Sequence, residues 1–366
     1  MKRLLMVGLV LAAAPAAWPQ APAAADSAAA SKSLAVYGCV DGYFGYDFRQ
    51  PNTHTRPGFL YSHNRHNQFT VNQALLGLRY DNDRVRGAAG LHAGTYPAAN
   101  YAAEKPVFRH IFEAYAGFRP FRKIWLDAGI FTSHIGFESA ISKDNWTLTR
   151  SLMAENSPYY ESGVRVTYEV DPKLTLTGLV LNGWQIIGEN NQAKALGTQL
   201  QWQATDKLLL NSSSFYGNEQ PASQPRRRRY FHDFFARYTA SEQLSVALVF
   251  DVGKQEHEQR GEKADTWHTG AAFVRYQFTG QWAAAARAEY YHADRGVVVQ
   301  SLSPNASHNH FTVHGASLNL DYTPTSHVFV RLEGRLLNAR RDIFSHSNNR
   351  LANDYGNLTS SIALSF

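Results

Sequence analysis

The chain of 366 residues contains one cysteine, so no disulfide forms within it. No regular Cys/His ligand spacing surrounds that cysteine, which excludes a zinc ribbon or an iron–sulfur domain. Charge is scarce at 18%, and Lys+Arg 36 against Asp+Glu 30 leaves a net +6, too weak an excess to imply nucleic acid. Beyond the N-terminus no apolar run is long enough for a helix to cross a bilayer. Gly-x-Ser-x-Gly elbows, phosphate-cradling Gly-rich loops and His-Glu-x-x-His helices are missing as well, so no catalytic residue is assigned.

Aromatic residues are plentiful: 19 Tyr, 21 Phe and 7 Trp, together with 26 Gly, describe a strand-rich chain rather than a disordered or coiled-coil one. A mean hydropathy of −0.37 does not exclude the membrane. A transmembrane barrel alternates lipid-facing and water-facing side chains, and its window average stays near neutral.

The first residues, Met1-Lys2-Arg3, precede an apolar run over residues 4–17 and then a small-residue stretch rich in Ala and Pro. This is the pattern of a cleaved secretory signal, assigned to residues 1–25, with a flexible mature N-terminus over 26–34. A membrane anchor fits less well, because Pro15 and Pro19 interrupt a run shorter than the roughly 20 residues a spanning helix needs.

From residue 35 to 366 the dominant signal is period-two alternation. Leu318, Leu320 and Tyr322 alternate with Ser317, Asn319 and Asp321, while Val328, Val330 and Leu332 alternate with Arg331 and Glu333. About sixteen such segments are predicted, an even number. Every second connection is short and carries turn chemistry, as at Asn82-Asp83, Asp171-Pro172 and Thr279-Gly280. The connections between those turns include long polar ones at 49–67, 133–158, 218–228, 255–265, 293–310 and 339–354. Short turns at one rim and long loops at the other predict an all-β fold. It is a transmembrane antiparallel up-and-down β-barrel of about 16 strands, with short periplasmic turns and long extracellular loops.

If the apolar set faces lipid, parity turns the wall residues Glu113, Asp127, Glu161, Arg165, Arg287, Glu289, Arg331, Glu333 and Arg335 inward. Charges on the lipid face would cost about 2–4 kcal/mol each at mid-membrane. Such inward charges either line a pore and set a transverse field, with Arg287, Arg331 and Arg335 opposing Glu113, Asp127 and Glu161, or brace the wall as ion pairs. Loop 133–158 holds Phe137 and Trp146, which would be wasted on a solvated tip, beside Glu138, Lys143, Asp144, Arg150 and Glu155. It is expected to fold inward and constrict the channel.

Histidines in the connections, among them His54, His63, His66, His257, His308, His310 and His346, read as polar decoration; neither metal nor cofactor is expected. His232 and His268 take the outward parity, with Ser212 and Ser214 on a nearby strand, but nothing in the sequence makes them converge. Arg226 to Arg229 are expected to meet lipopolysaccharide phosphates at the outer rim. An alternating last strand ending in Phe366 resembles the signal read by the bacterial barrel-assembly machinery.

The stretches LDAGIFTSHIGFESAISKDNWTLTRSLMAENSPYYESGVR from Leu126, LNGWQ from Leu181, EYYHADRG from Glu289 and LDYTP from Leu320 resemble the OmpL-like family of outer-membrane β-barrel porins. That resemblance implies a porin of the bacterial outer membrane, fixes no substrate and carries no catalytic residue over. It also supports an inward loop between Gly136 and Gly163. The expected function is passive diffusion of small hydrophilic solutes or ions through a water-filled bore. The partners are membrane lipids, lipopolysaccharide and, by analogy, two further copies in a homotrimer. The alternative left open is a structural or adhesion barrel whose lumen is sealed by ion pairs.

Overall fold

The computed structural model describes residues 33–257, 259, 261–299, 310–347 and 350–366. The signal assigned to 1–25, most of the N-terminal stretch 26–34 and His308 lie outside the described residues. Sixteen antiparallel strands form one closed barrel. They are β1 Ser33–Asp47, β2 Phe69–Asp81, β3 Val85–Ala93, β4 Ile111–Phe121, β5 Ile124–Thr132, β6 Tyr160–Asp171, β7 Leu174–Leu181 and β8 Ala195–Thr205. There follow β9 Leu208–Asn218, β10 Arg228–Thr239, β11 Leu244–Gln255, β12 Asp265–Gln277, β13 Trp282–Ala293, β14 Phe311–Thr325, β15 Val328–Ala339 and β16 Asp354–Ser365. Each pairs with its sequence neighbours, and β1 closes on β16 from Cys39↔Ser365 to Asp47↔Asn357. Closure leaves no strand edge to satisfy inside lipid. β1 begins at Ser33, slightly ahead of the expected residue 35.

Alternation sorts the side chains across the wall. Leu76, Leu196, Leu248, Phe250, Leu318, Leu336 and Ile362 are exposed on the outside, while Asp127, Glu161, Asp233, Glu333 and Arg335 are buried within. A soluble fold would reverse that arrangement; a barrel in hydrocarbon requires it. Aromatics concentrate toward the short-turn rim, where Tyr80, Phe118, Phe121, Tyr276, Phe278 and Trp282 are exposed and Trp282 stacks on Tyr322 at 4.6 Å. This is the interfacial girdle of a membrane barrel. No helix among the described residues is long and apolar enough to cross a membrane; the strands do the crossing.

Two more connections carry structure. Residues 94–110 hold a short helix, α1 (Thr95–Asn100), and a 3-10 turn at Pro106–Phe108. Phe344–Ser345 pairs with Leu351–Ala352 as a small hairpin in the last connection. A second short helix, α2 (Leu152–Glu155), lies in the loop between β5 and β6. At one position the wall thins for its neighbour: a Cβ on Gly253 of β11 would sit 2.0 Å from the Trp267 ring of β12. Glycine there lets the indole lie flat against the inner wall.

Candidate functional site

The loop over 133–158 leaves β5 and enters the lumen. His134 fixes its root, with Nδ1 against the Glu161 carboxylate at 2.9 Å and Nε2 donating to the Ser214 carbonyl at 2.9 Å. Phe137 then packs on Phe235 and Phe273 of the wall and edge-on to Trp146. That contact shields both rings in part from water. The chain continues to the opposite side of the barrel, where backbone N–H groups meet wall acceptors. Leu148 donates to Asn319 at 3.0 Å, Thr149 to Glu333 at 2.5 Å and Leu152 to Glu289 at 2.6 Å. Arg331 donates in return to the Ser142 and Asn145 carbonyls at 2.7 and 3.0 Å. A loop rooted on β5 and β6 is thus fastened to β13, β14 and β15.

Arg287 is the centre of that attachment. Its guanidinium donates to the Thr149 carbonyl at 2.6 Å, to Thr147 Oγ1 at 2.8 Å and to Glu333 at 3.1 Å, and it lies 3.4 Å from Glu289. Glu138 faces it from the loop at 3.9 Å and also accepts from the Ser151 N–H at 3.1 Å. Burial pushes the Glu138 carboxyl up, against the pull of Arg287 and the Ser151 donors. Arg335 completes the group by bonding Glu289 at 2.9 Å, while Arg331 and Arg275 share Asp321 at 2.7 Å each.

The remaining loop residues are placed differently from one another. Lys143 and Asp144 pair with each other at 2.6 Å and keep partial access to water. Arg150 is buried, its guanidinium 4.0 Å from the Tyr96 ring and 4.5 Å from the Tyr159 ring, so it joins the loop to α1 by cation–π contact. Glu155 accepts the Tyr61 N–H at 2.9 Å and the Ser62 hydroxyl, which ties it to a second connection. That connection, 48–68, also folds inward. Arg56 is buried and donates to Tyr355 at 2.8 Å, and Phe59 and Leu60 join an apolar cluster with Trp184, Phe231, Trp267, Phe311 and Phe344 near the long-loop end. The signal for it was present: Phe59, Leu60 and Tyr61 are as misplaced on a solvated tip as Phe137 and Trp146.

On the opposite wall the acids Glu113, Asp127 and Glu161 also point inward. They do not form a bare acidic patch facing a basic one. Tyr37 and Arg79 hold Glu113, Arg86 and Arg165 hold Asp127, and His134 holds Glu161, because an unpaired charge away from water is too costly. Exposure separates the partners. The Glu113 and Asp127 side chains are 3% and 0% exposed, whereas those of Arg79, Arg86 and Arg165 are 46%, 20% and 20% exposed. Arg119 pairs with a half-buried Glu169 and faces Arg86 across the Trp125 ring, each guanidinium 4.4 Å from its centroid. Parity in the sequence turns Arg86 and Arg119 inward without singling them out as site residues, and it does not mark Arg79 or Trp125. Their signal was position, since Arg79, Arg86 and Arg119 flank consecutive short turns and so share one rim.

One further expectation is corrected and another refined. Ser212 and His232 do converge on the outer wall, with Oγ and Nε2 3.1 Å apart, because Ser212 on β9 lies diagonal to His232 on β10. No third group orienting the imidazole is found among the described residues, and the bond satisfies two polar groups facing lipid. The run of arginines is divided by strand parity: Arg229 turns inward to Gln255 and over the Trp184 ring, Arg227 donates to the Glu256 carbonyl, and Arg226 and Arg228 stay exposed.

A closed sixteen-strand wall, an apolar exterior, a charged interior and a loop crossing the bore together define the class of outer-membrane channel proteins. Solved structures agree on the fold. An outer membrane channel, DcaP of Acinetobacter baumannii, superposes with a TM-score of 0.65 at 13% identity over 92% of this chain and 97% of that one. OmpT of Vibrio cholerae in a trimer form gives 0.60 at 8% over 92% and 100%. An anion-selective porin from Comamonas acidovorans gives 0.59 at 8% over 92% and 100%. No curated protein matches the sequence. Residues 33–366 match the model of the family described as "Putative beta-barrel porin-2, OmpL-like", and the chain belongs to that family. It is an outer-membrane β-barrel porin.

Proposed function

We propose that small hydrophilic solutes cross this barrel by passive diffusion along the wall from β2 to β10, with anions favoured. The observation that carries the reading is the unequal exposure of paired charges: guanidinium groups of Arg79, Arg86 and Arg165 reach water while the carboxylates of Glu113 and Asp127 lie beneath them. A permeating ion meets the exposed member of each pair first. Half-buried Gln199, Gln201 and Gln203 on β8 offer neutral hydrogen-bonding groups along the same passage. Narrowing comes from residues 133–158, with Lys143 and Asp144 as their water-facing pair. No chemical step, cofactor or energy coupling enters this mechanism.

Export by a cleaved signal within residues 1–25, insertion by the barrel-assembly machinery through the strand ending at Phe366, contact with lipopolysaccharide and assembly as a homotrimer belong to the same proposal. The test is the zero-current potential of purified protein in a planar bilayer under a KCl gradient. Chloride preference that weakens in Arg79→Gln and Arg119→Gln supports the reading; cation preference in the unsubstituted protein overturns it. The second reading, a sealed barrel, is favoured by the burial of Arg287, Glu289, Glu333 and Arg335 under the loop. Absence of conductance at every voltage would select it.

A further inference from the structure

On the outer face of the wall, at the long-loop end of β12, β13 and β14, alternation stacks two cross-strand rows. His268, His292 and Thr312 form the lower one, in register as His268↔His292 and His292↔Thr312. Beside it come Thr266 of β12, Asp294 in the 3-10 turn just past β13 and His310 just before β14. One Nε2 or Nδ1 from each of His292 and His310 and one carboxylate oxygen of Asp294 lie within 4.8 Å of one another. Asp294 Oδ1 is 2.9 Å from His310 Nδ1 and 3.6 Å from His292 Nε2.

We infer that His292, Asp294 and His310 form a surface site for a transition-metal dication of the zinc class. The donor set selects the metal: two imidazoles with one carboxylate suit zinc, copper or nickel, whereas calcium and magnesium take oxygen ligands. Each wall-anchored ligand is already oriented from behind. His292 Nδ1 lies 2.8 Å from Thr312 Oγ1, which leaves Nε2 turned toward Asp294. The Thr266 hydroxyl and N–H donate to Asp294 Oδ2 at 2.7 and 3.1 Å, which leaves Oδ1 turned toward both imidazoles. Ligands of metal sites characteristically carry supporting bonds of this kind. A tetrahedral ion with bonds near 2.0–2.1 Å sets its ligand atoms roughly 3.3 Å apart. His310, more than half exposed and just before β14, closes the remaining gap by turning its ring. Three protein ligands leave a fourth position for water. The sequence reading took His310 as polar decoration because its partners are distant along the chain and become neighbours only through strand register.

The test is calorimetric titration of the folded barrel in detergent micelles with zinc ion alone. One zinc per chain is expected, with affinity at least tenfold lower in His292→Ala and in His310→Ala. Thr312→Val, which touches no metal, is expected to lower it about tenfold. His257→Ala, on a separate connection, leaves it unchanged. X-ray absorption of the zinc-loaded protein should count two imidazoles. Lack of saturable binding, or binding of equal strength in His292→Ala when heat-modifiability shows that variant folded, overturns the assignment. Neither outcome bears on conduction.

Discussion

The inner surfaces of β13–β15 and of β2–β6 obey one parity rule and end in opposite states. On β13–β15, Arg287, Glu289 and Glu333 are sealed beneath the crossing loop and bond to its backbone, and Arg335 is buried beside them on Glu289. On β2–β6, Arg79, Arg86, Arg119 and Arg165 pair with carboxylates of their own wall and keep an open side. Alternation decides which side chains enter the lumen. What the loop covers decides which of them stay wet.

The largest expected effect breaks the dry side. Arg287→Ala leaves Glu138, Glu289 and Glu333 buried without their shared cation, and removing one partner from such a group costs about 3–5 kcal/mol. The folded band on a semi-native gel should unfold at a markedly lower temperature, and channels that do form should conduct more as the loop detaches. An unchanged transition would mean that the loop is held elsewhere.

Next comes the close approach between β11 and β12. Gly253→Val drives a side chain into the Trp267 ring, and overpacking of this kind costs about 1–3 kcal/mol. Loss of tryptophan fluorescence anisotropy together with a lower midpoint of denaturation would show that the indole has left the wall. A smaller effect is expected from Asn319→Ala, which deletes the acceptor of the Leu148 N–H and costs about 1 kcal/mol. It should raise the frequency of brief open-state fluctuations in single-channel records without changing the folded yield.

Much of this was readable beforehand, for identifiable reasons. The strands, the short turns and the inward parity of residues such as Asp127 and Arg335 follow from a period of two that lipid outside and polar groups inside enforce. Phe137 and Trp146 announced that loop 133–158 turns inward. The partner of each charge was not legible, because Arg287 meets Thr147 and Thr149 across the bore and Arg86 meets Asp127 two strands away. Position along the strand also had to be read together with parity. Arg79, Arg86 and Arg119 emerge as a group only when their nearness to consecutive short turns is counted.

The smallest effect sharpens the comparison most. Arg119→Gln removes a cation that shares water with Glu169, and exposed pairs of this kind contribute about 0–1 kcal/mol, so denaturation should hardly move. Its charge nonetheless acts on ions within about 8 Å at physiological salt. Selectivity and stability therefore separate at this residue: the chloride-to-potassium permeability ratio should fall while the unfolding midpoint stays within a degree or two. Arg331→Gln, on the dry side, should do the reverse, because its guanidinium is occupied by Asp321 and by the Ser142 and Asn145 carbonyls. If both variants changed permeability equally, the loop would not shield β15 from the permeating ion, and the division into a wet and a dry wall would fail.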